Sequence, residues 1–177
     1  MSRVPLAEFA PALKKRLEEL WGTPPNLYRA LGNHPALVAA WTEFSKMLRH
    51  DTRTPRPLRE LVILRGAQLM RSEYEWAQHL VMARKSGVRE AQIAELANWR
   101  SSKEFDAREK AALALGEDVT RGKVTDAVHA EAMRHFDHHD YVELAAVAAF
   151  YAMVARMLDA LGVQLEDDML DYRPKLK

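Results

Sequence analysis

Apolar positions recur every three or four residues along almost the whole chain, and Val, Ile and Thr never gather into an alternating run bounded by turns. That pattern predicts helices throughout and no sheet. Leu6 to Leu20 reads as an amphipathic helix interrupted early by Pro11, and Gly22-Thr23-Pro24-Pro25 ends it. A short helix over Asn26 to Leu31 follows. His34-Pro35 opens the next, with Leu37, Val38, Trp41, Phe44 and Leu48 at core spacing. After a polar connector, Thr54-Pro55 has the form of an N-cap followed by Pro at the first helical position. This helix runs to about Met70, with Leu58, Leu61, Val62 and Leu69 on its buried side. Another begins near Ser72 and stops at Ser86-Gly87, where Gly supplies the left-handed position after the helix.

The second half continues in the same way. A shorter helix covers Arg89 to Ala97, and Asn98 to Phe105 is a mostly polar linker. Helices follow from about Asp106 to Thr120 and from Val124 to Phe136. The last long one runs from His138 to Leu161, with Asp137 as its N-cap and Gly162 as its end. Its continuous apolar run, Leu144 to Ala155, is twelve residues long, too few to span a bilayer. The charged tail from Glu166 to Lys177 lies on the surface or reaches another subunit. The sum is a single all-α domain of roughly eight helices.

Composition narrows the function. The chain has 177 residues, enough for one well-cored domain, with 48% hydrophobic and 29% charged residues. Its 26 basic and 25 acidic residues are interspersed and leave a formal charge of +1, so no basic stripe offers itself to nucleic acid. Met1-Ser2-Arg3-Val4-Pro5 shows no apolar segment of the secretory type, and no membrane partner is expected. There is no cysteine, which excludes disulfides, Cys-ligated metals and any thiol nucleophile, and fits a cytoplasmic location.

Against this background one polar set stands out: Glu60, then Ser72-Glu73-Tyr74-Glu75-Trp76-Ala77-Gln78-His79. Glu75 and His79 are one helical turn apart, so their side chains share a face. A carboxylate beside an imidazole raises its pKa and fixes its tautomer, and such a pair can move a proton to or from carbon. Glu60, on the preceding helix, approaches the same face if the two helices pack antiparallel. A second reading stays open: Ser72-x-x-Glu75 is also a capping box, with Glu75 folded back on its own helix end and His79 a partly buried, hydrogen-bonded histidine.

Two segments resemble the carboxymuconolactone decarboxylase family, which includes alkyl hydroperoxidase D-like proteins. The first runs from Pro57-Leu58-Arg59-Glu60 through His79 to Ser86-Gly87-Val88. The second joins Tyr141-Val142-Glu143-Leu144 to Tyr151 through Val163. The resemblance covers about 33–163, leaving 1–32 as an N-terminal helical extension and 164–177 as a tail. The hydroperoxidase branch implies Glu, then Cys-x-x-Cys-x-x-x-His. Glu60 and His79 match, but Ser72 and Glu75 occupy the cysteine positions, and neither can cycle through sulfenic acid or a disulfide. Thiol peroxidase activity is therefore not expected.

The decarboxylase-like branch implies an oligomeric all-α subunit, trimeric or hexameric, without a cofactor, acting on a small carboxylate or lactone. On that resemblance His79, tuned by Glu75, is the expected proton donor, Glu60 the orienter or second base, and Tyr74 and Trp76 pocket walls. Arg156 is a candidate clamp for a substrate carboxylate, or else part of a structural ion pair. His135 and His139 are four apart, but the helix break at Asp137 separates their faces, so no metal site is expected. Trp21, Trp41, Phe44 and Phe150 read as core or subunit-interface residues, and Arg100, Lys103, Glu104 and Asp106 as solvated surface. The competing expectation is a non-catalytic oligomeric binding or structural module that keeps the fold.

Overall fold

The computed structural model describes residues 2–174; Met1 and 175–177, the end of the predicted tail, lie outside them. Among the described residues, nine α-helices form the fold and no strand occurs. They are α1 (Pro11–Trp21), α2 (Asn26–Leu31), α3 (Pro35–His50), α4 (Arg56–Met70), α5 (Glu73–Ser86), α6 (Glu90–Glu95), α7 (Ala107–Arg121), α8 (Asp126–His135) and α9 (His138–Leu161), with short 3-10 turns at Leu96–Asn98 and Asp167–Tyr172.

Cap chemistry sets most boundaries. Ser72, Asp106, Thr125 and Asp137 each accept a bond from the backbone N–H three residues on. Gly87, Gly122 and Gly162 close α5, α7 and α9 with positive φ, where a side chain would be strained. Two expectations are corrected. Pro11 does not interrupt α1 but begins it, because a first-turn residue needs no N–H partner. Thr54 does not cap α4: Pro55 holds that position, and the Thr54 carbonyl accepts instead from the buried Arg59 guanidinium.

α4 lies at the centre, packed on α5, α7 and α9, with Leu58, Leu61, Val62, Ile63, Leu64 and Ala67 all buried. A helix buried on several sides must pair the polar groups it takes inside, and Arg59 and Glu60 are buried with them. The approach of α7 is close enough that a Cβ on Gly116 would stand 2.7 Å from Val62 Cγ1. α9 is 24 residues long, and its most apolar stretch, of mean hydropathy 1.6, is half buried inside the fold. It is long and apolar enough to cross a membrane, but here it is a core helix.

The N-terminal segment is part of this core. Leu17, Leu27, Tyr28 and Leu31 pack with Val38 and Trp41 of α3 and with Phe150, Tyr151 and Val154 of α9. Glu166 ties the tail across it, accepting from the Asn26 N–H at 2.6 Å, the Tyr74 hydroxyl at 2.6 Å and Gln78 Nε2 at 2.7 Å. The linker 98–105 is less solvated than its composition suggests, since Trp99 and Phe105 are buried. On α3 the buried stripe is Val38, Trp41, Thr42, Ser45 and Leu48. Leu37 and Phe44, expected inside, are 39% and 42% exposed, because the helix is turned to put Ser45, not Phe44, inward.

Candidate active site

Arg71, in a left-handed conformation at φ 54°, and Ser72 return the chain from α4 to α5. The two helices pack side by side. This brings Glu60 to His79: Nδ1 lies 2.8 Å from Oε2, with both side chains fully enclosed. Arg56, one turn before Glu60, holds the other carboxylate oxygen. Tyr151 of α9 meets the imidazole edge-on, ring centroids 4.6 Å apart. Its hydroxyl accepts from Arg49 Nε at 3.2 Å. The Arg49 guanidinium carbon sits 3.9 Å above the Trp21 ring, a cation–π contact between α3 and α1.

Glu75 is one turn from His79 but forms no hydrogen bond with it. Ser72 Oγ accepts from the Glu75 N–H at 3.4 Å, so Ser72 caps the helix. The Glu75 carboxyl does not fold back to complete the box: both its oxygens are buried and without a partner. The expectation that Glu75 tunes His79 is therefore corrected, and Glu60 holds that position. The physical reason is geometric. A neighbouring helix can present a carboxylate end-on to the imidazole, whereas Glu75 shares its face and points elsewhere.

These contacts separate the protonation states. Burial pushes the Glu60 carboxyl up, but His79 and Arg56 together outweigh it and leave Glu60 below the usual carboxylate range. Burial pushes His79 down against the pull of Glu60, so the imidazole is neutral at neutral pH. With Glu60 ionised, Nδ1 carries the proton and donates it, leaving the Nε2 lone pair free. Glu75 has no cation beside it, and burial alone pushes its carboxyl well above the ordinary range. It is a neutral acid. The result is a base, His79, and an acid, Glu75, on one helix face with pKa values driven apart by their surroundings.

Both groups line one cavity. Its inner chamber is about 50 Å³, inside about 470 Å³ of free space that includes solvent at the mouth. Trp21, Tyr28, Trp41, Phe150 and Tyr151 form aromatic walls, with Arg49, Tyr74 and Gln78 among the polar lining. Tyr74 is thus among the residues at the cavity. Trp76 is not: it packs with Leu61, Leu64 and Leu80 in a separate part of the core. Arg156 is exposed and, among the described residues, bonds only the Ala152 carbonyl of its own helix, so it is not a clamp in this cavity.

Sequence reasoning missed Arg49, Arg56 and Tyr151 at this site and read Trp21 as a core or subunit-interface residue. One signal was available. Val38, Thr42, Ser45 and Arg49 continue one heptad-spaced stripe, so the buried face of α3 becomes progressively more polar and ends on an arginine. The histidine-rich junction brings ligand atoms of His139, Asp140 and Glu143 within 4.8 Å of one another. Arg53 holds Asp140 at 2.8 Å, and the Arg53 and Thr54 N–H groups hold Glu143, so these oxygens already have partners.

The carboxymuconolactone decarboxylase family profile matches residues 35–118, the stretch that carries Arg49, Glu60, Glu75 and His79. Residues 35–118 thus match the carboxymuconolactone decarboxylase family, and the chain as a whole shares the fold of alkyl hydroperoxidase D-like structures. It is 32% identical over 95 residues to the uncharacterized protein YdfG of Bacillus subtilis, a match covering 52% of this chain and 65% of that relative, under two thirds of its length. Among solved structures it is similar to the alkylhydroperoxidase AhpD core of an uncharacterized peroxidase-related protein from Ralstonia eutropha. That likeness has a TM-score of 0.82 at 20% identity, over 95% of this chain and 94% of the other. It is also similar to the debrominase Bmp8 in complex with 2,3,4-tribromopyrrole, TM-score 0.80 at 18% identity, over 94% of each chain. At such identities these solved structures establish the fold alone. The aromatic walls from Trp21, Tyr28, Phe150 and Tyr151 lie outside the family match.

Proposed function

We propose that this protein is a cofactor-independent lyase that decarboxylates a small carboxylate or lactone by proton transfer at carbon. The observation that carries the proposal is the buried, unpartnered Glu75 carboxyl lining the same chamber as the Glu60-oriented His79. In a carboxylate conjugated to a lactone carbonyl, the C–C bond to the carboxylate breaks and CO2 leaves. The bonding electrons pass to the carbonyl oxygen as a dienolate. Glu75 then gives its proton to carbon and regains one from water, with His79 Nε2 able to accept and pass it on. Compared with the expectation from the family resemblance, the donor is Glu75 and His79 is the base. The aromatic walls exclude water, and in a dry site a buried acid acts more strongly on developing charge.

The debrominase neighbour carries this fold to other chemistry, so the proposal rests on the residues and not on the fold. The test is turnover of conjugated lactone carboxylates in deuterium oxide, followed as CO2 release and deuterium incorporation at carbon. Wild type is expected to do both, and Glu75→Gln and His79→Gln to do neither while remaining folded. Absence of turnover across such a panel points instead to a non-catalytic module. Self-association, as trimer or hexamer, belongs to the same proposal: Leu37, Phe44 and Met47 expose one apolar face of α3, and Met153 of α9 is exposed as well.

A further inference from the structure

The cavity is rich in donors that have nothing to donate to. Among the described residues, few buried side-chain polar atoms lack a partner, and three of the residues concerned line this chamber. They are Trp21 through Nε1, Arg49 through Nη1, and Glu75 through its carboxyl. Trp21 Nε1 and Arg49 Nη1 can only donate. A buried polar group left unpaired is costly, so two such donors beside one chamber call for an acceptor.

The local charge has the same sense. Arg56 Nη1 and Arg59 Nη2 both donate to the Arg49 backbone carbonyl, at 3.1 Å and 3.2 Å, which brings two further guanidinium groups to the end of α3 that carries Arg49. The carboxylates near them are Glu60, occupied by Arg56 and His79, and Glu143, occupied by backbone N–H groups of Arg53 and Thr54. Glu75 is neutral. Three guanidinium groups thus face two spoken-for carboxylates, and Arg49 has no carboxylate oxygen within 4.0 Å among the described residues.

We infer that Arg49 and Trp21 form the binding site for an anionic oxygen group of the substrate, a carboxylate. This rests on the proton-transfer reading of the cavity and adds the recognition element to it. The group held there is one the substrate keeps. A clamp on the departing carboxylate would stabilise the ground state more than the transition state and slow the loss of CO2. A chamber of about 50 Å³ has room for three to five water-sized atoms at roughly 10–15 Å³ each, which suits an acetate-sized end of a larger molecule. Trp21 comes from α1, before the family match begins, so this anion site is partly built by the chain's own N-terminal helix.

The experiment titrates acetate, and acetamide as its neutral counterpart, into the full chain at constant ionic strength, read by tryptophan fluorescence and by the His79 imidazole NMR shifts. Wild type is expected to bind acetate saturably and acetamide at least tenfold more weakly. Arg49→Gln and Trp21→Phe are expected to weaken acetate about tenfold and about threefold, with Arg156→Gln, outside the chamber, close to wild type. Should Arg49→Gln fail to fold, Arg49→Lys replaces it and is expected to bind several-fold more weakly, having lost the planar fork. Acetate affinity unchanged in the arginine variant, or no saturable acetate binding by wild type, overturns the assignment. Arg49-dependent acetate binding without any turnover leaves the anion site standing and removes the lyase reading. Turnover that is indifferent to Arg49 does the reverse.

Discussion

His79 and Glu60 meet across the α4–α5 contact, Nδ1 to Oε2 at 2.8 Å, although they are nineteen positions apart in the chain. The nearer carboxylate, Glu75, is left unpaired. This relationship assigns the roles: Glu60 fixes the tautomer, His79 presents Nε2, and Glu75 keeps its proton. Glu60→Gln keeps the shape but lets the amide donate to Nδ1, which moves the imidazole proton to Nε2. Turnover is expected to fall roughly 10²–10⁴-fold, by analogy with orienting carboxylates elsewhere. The imidazole nitrogen shifts should report the exchanged tautomer, and an unchanged tautomer with unchanged rate would remove Glu60 from the mechanism.

Glu75 gives a stability prediction of definite sign. Its folded-state pKa is raised, so its contribution is fully present below the unfolded value, about 4.3, and is lost as pH rises towards the folded value. Glu75→Gln cannot ionise and escapes that loss. Its melting temperature is expected to exceed that of wild type at pH 8 and to approach it near pH 4, by roughly 2–4 °C for each kcal/mol relieved in a domain of this size. Thermal melts across this range check it. Parallel curves for the two proteins would show that Glu75 is ionised and paired in solution.

Much of the fold was legible because helix ends follow local chemistry: Ser72, Asp137, Gly87 and Gly162 stand where their caps were expected. Membership of the site was legible in part. Glu60, Glu75 and His79 do converge on one region, but which carboxylate meets the imidazole depends on how α4 packs against α5, and no spacing within one helix encodes that. Arg156 misled for a related reason. It follows an apolar run, yet it lies on the exposed side of α9. Phe44 is exposed and so lies outside the core, while its reading as a subunit-interface residue stays a proposal, since a helical face cannot be assigned to the interior without knowing what covers it.

Glu117 of α7 anchors a second buried charge cluster. It accepts from Arg65, from Trp99 Nε1 at 2.8 Å and from Arg100 Nη2 at 2.7 Å, joining α4, the linker and α7. Burial pushes its carboxyl up, but these donors bring it down to about 2. The sign is therefore opposite to that of Glu75. Its stabilisation is complete above the unfolded value, about 4.3, and is lost as pH falls through about 2. Glu117→Ala strands Arg65 and the Trp99 N–H, at an expected cost of about 3–5 kcal/mol. Urea unfolding at pH 7 measures it, and a loss below about 1 kcal/mol would mean that water replaces the carboxylate.

The exposed face of α3 predicts an assembly phenotype. Phe44 is 42% exposed and meets Phe150 edge-on at 5.2 Å, so a partner covering Phe44 would bury the ring against a rigid support. Phe44→Glu is expected to shift the chain to a smaller species by light scattering, with little change in helix content. A distribution identical to that of wild type would place any subunit contact elsewhere.

Glu166 sets how firmly the N-terminal helices cover the cavity. Its carboxylate gathers the Asn26 N–H, the Tyr74 hydroxyl and the Gln78 amide, so one residue joins α2, α5 and the tail beside the aromatic walls. Hydrogen bonds to a charged group are worth about 1.5–3 kcal/mol each before water replaces them. Glu166→Ala is therefore expected to cost about 2–4 kcal/mol in total, much of it by loosening α2. Trp21, carried on the adjoining helix, should become more accessible, and acrylamide quenching of a variant retaining only this tryptophan should rise. Glu166→Gln keeps one acceptor oxygen and should fall between the two. If quenching is unchanged in the alanine variant, the packing of Leu27, Tyr28 and Leu31 against α3 and α9 holds the segment without the tail, and access to His79 is set at the aromatic walls themselves.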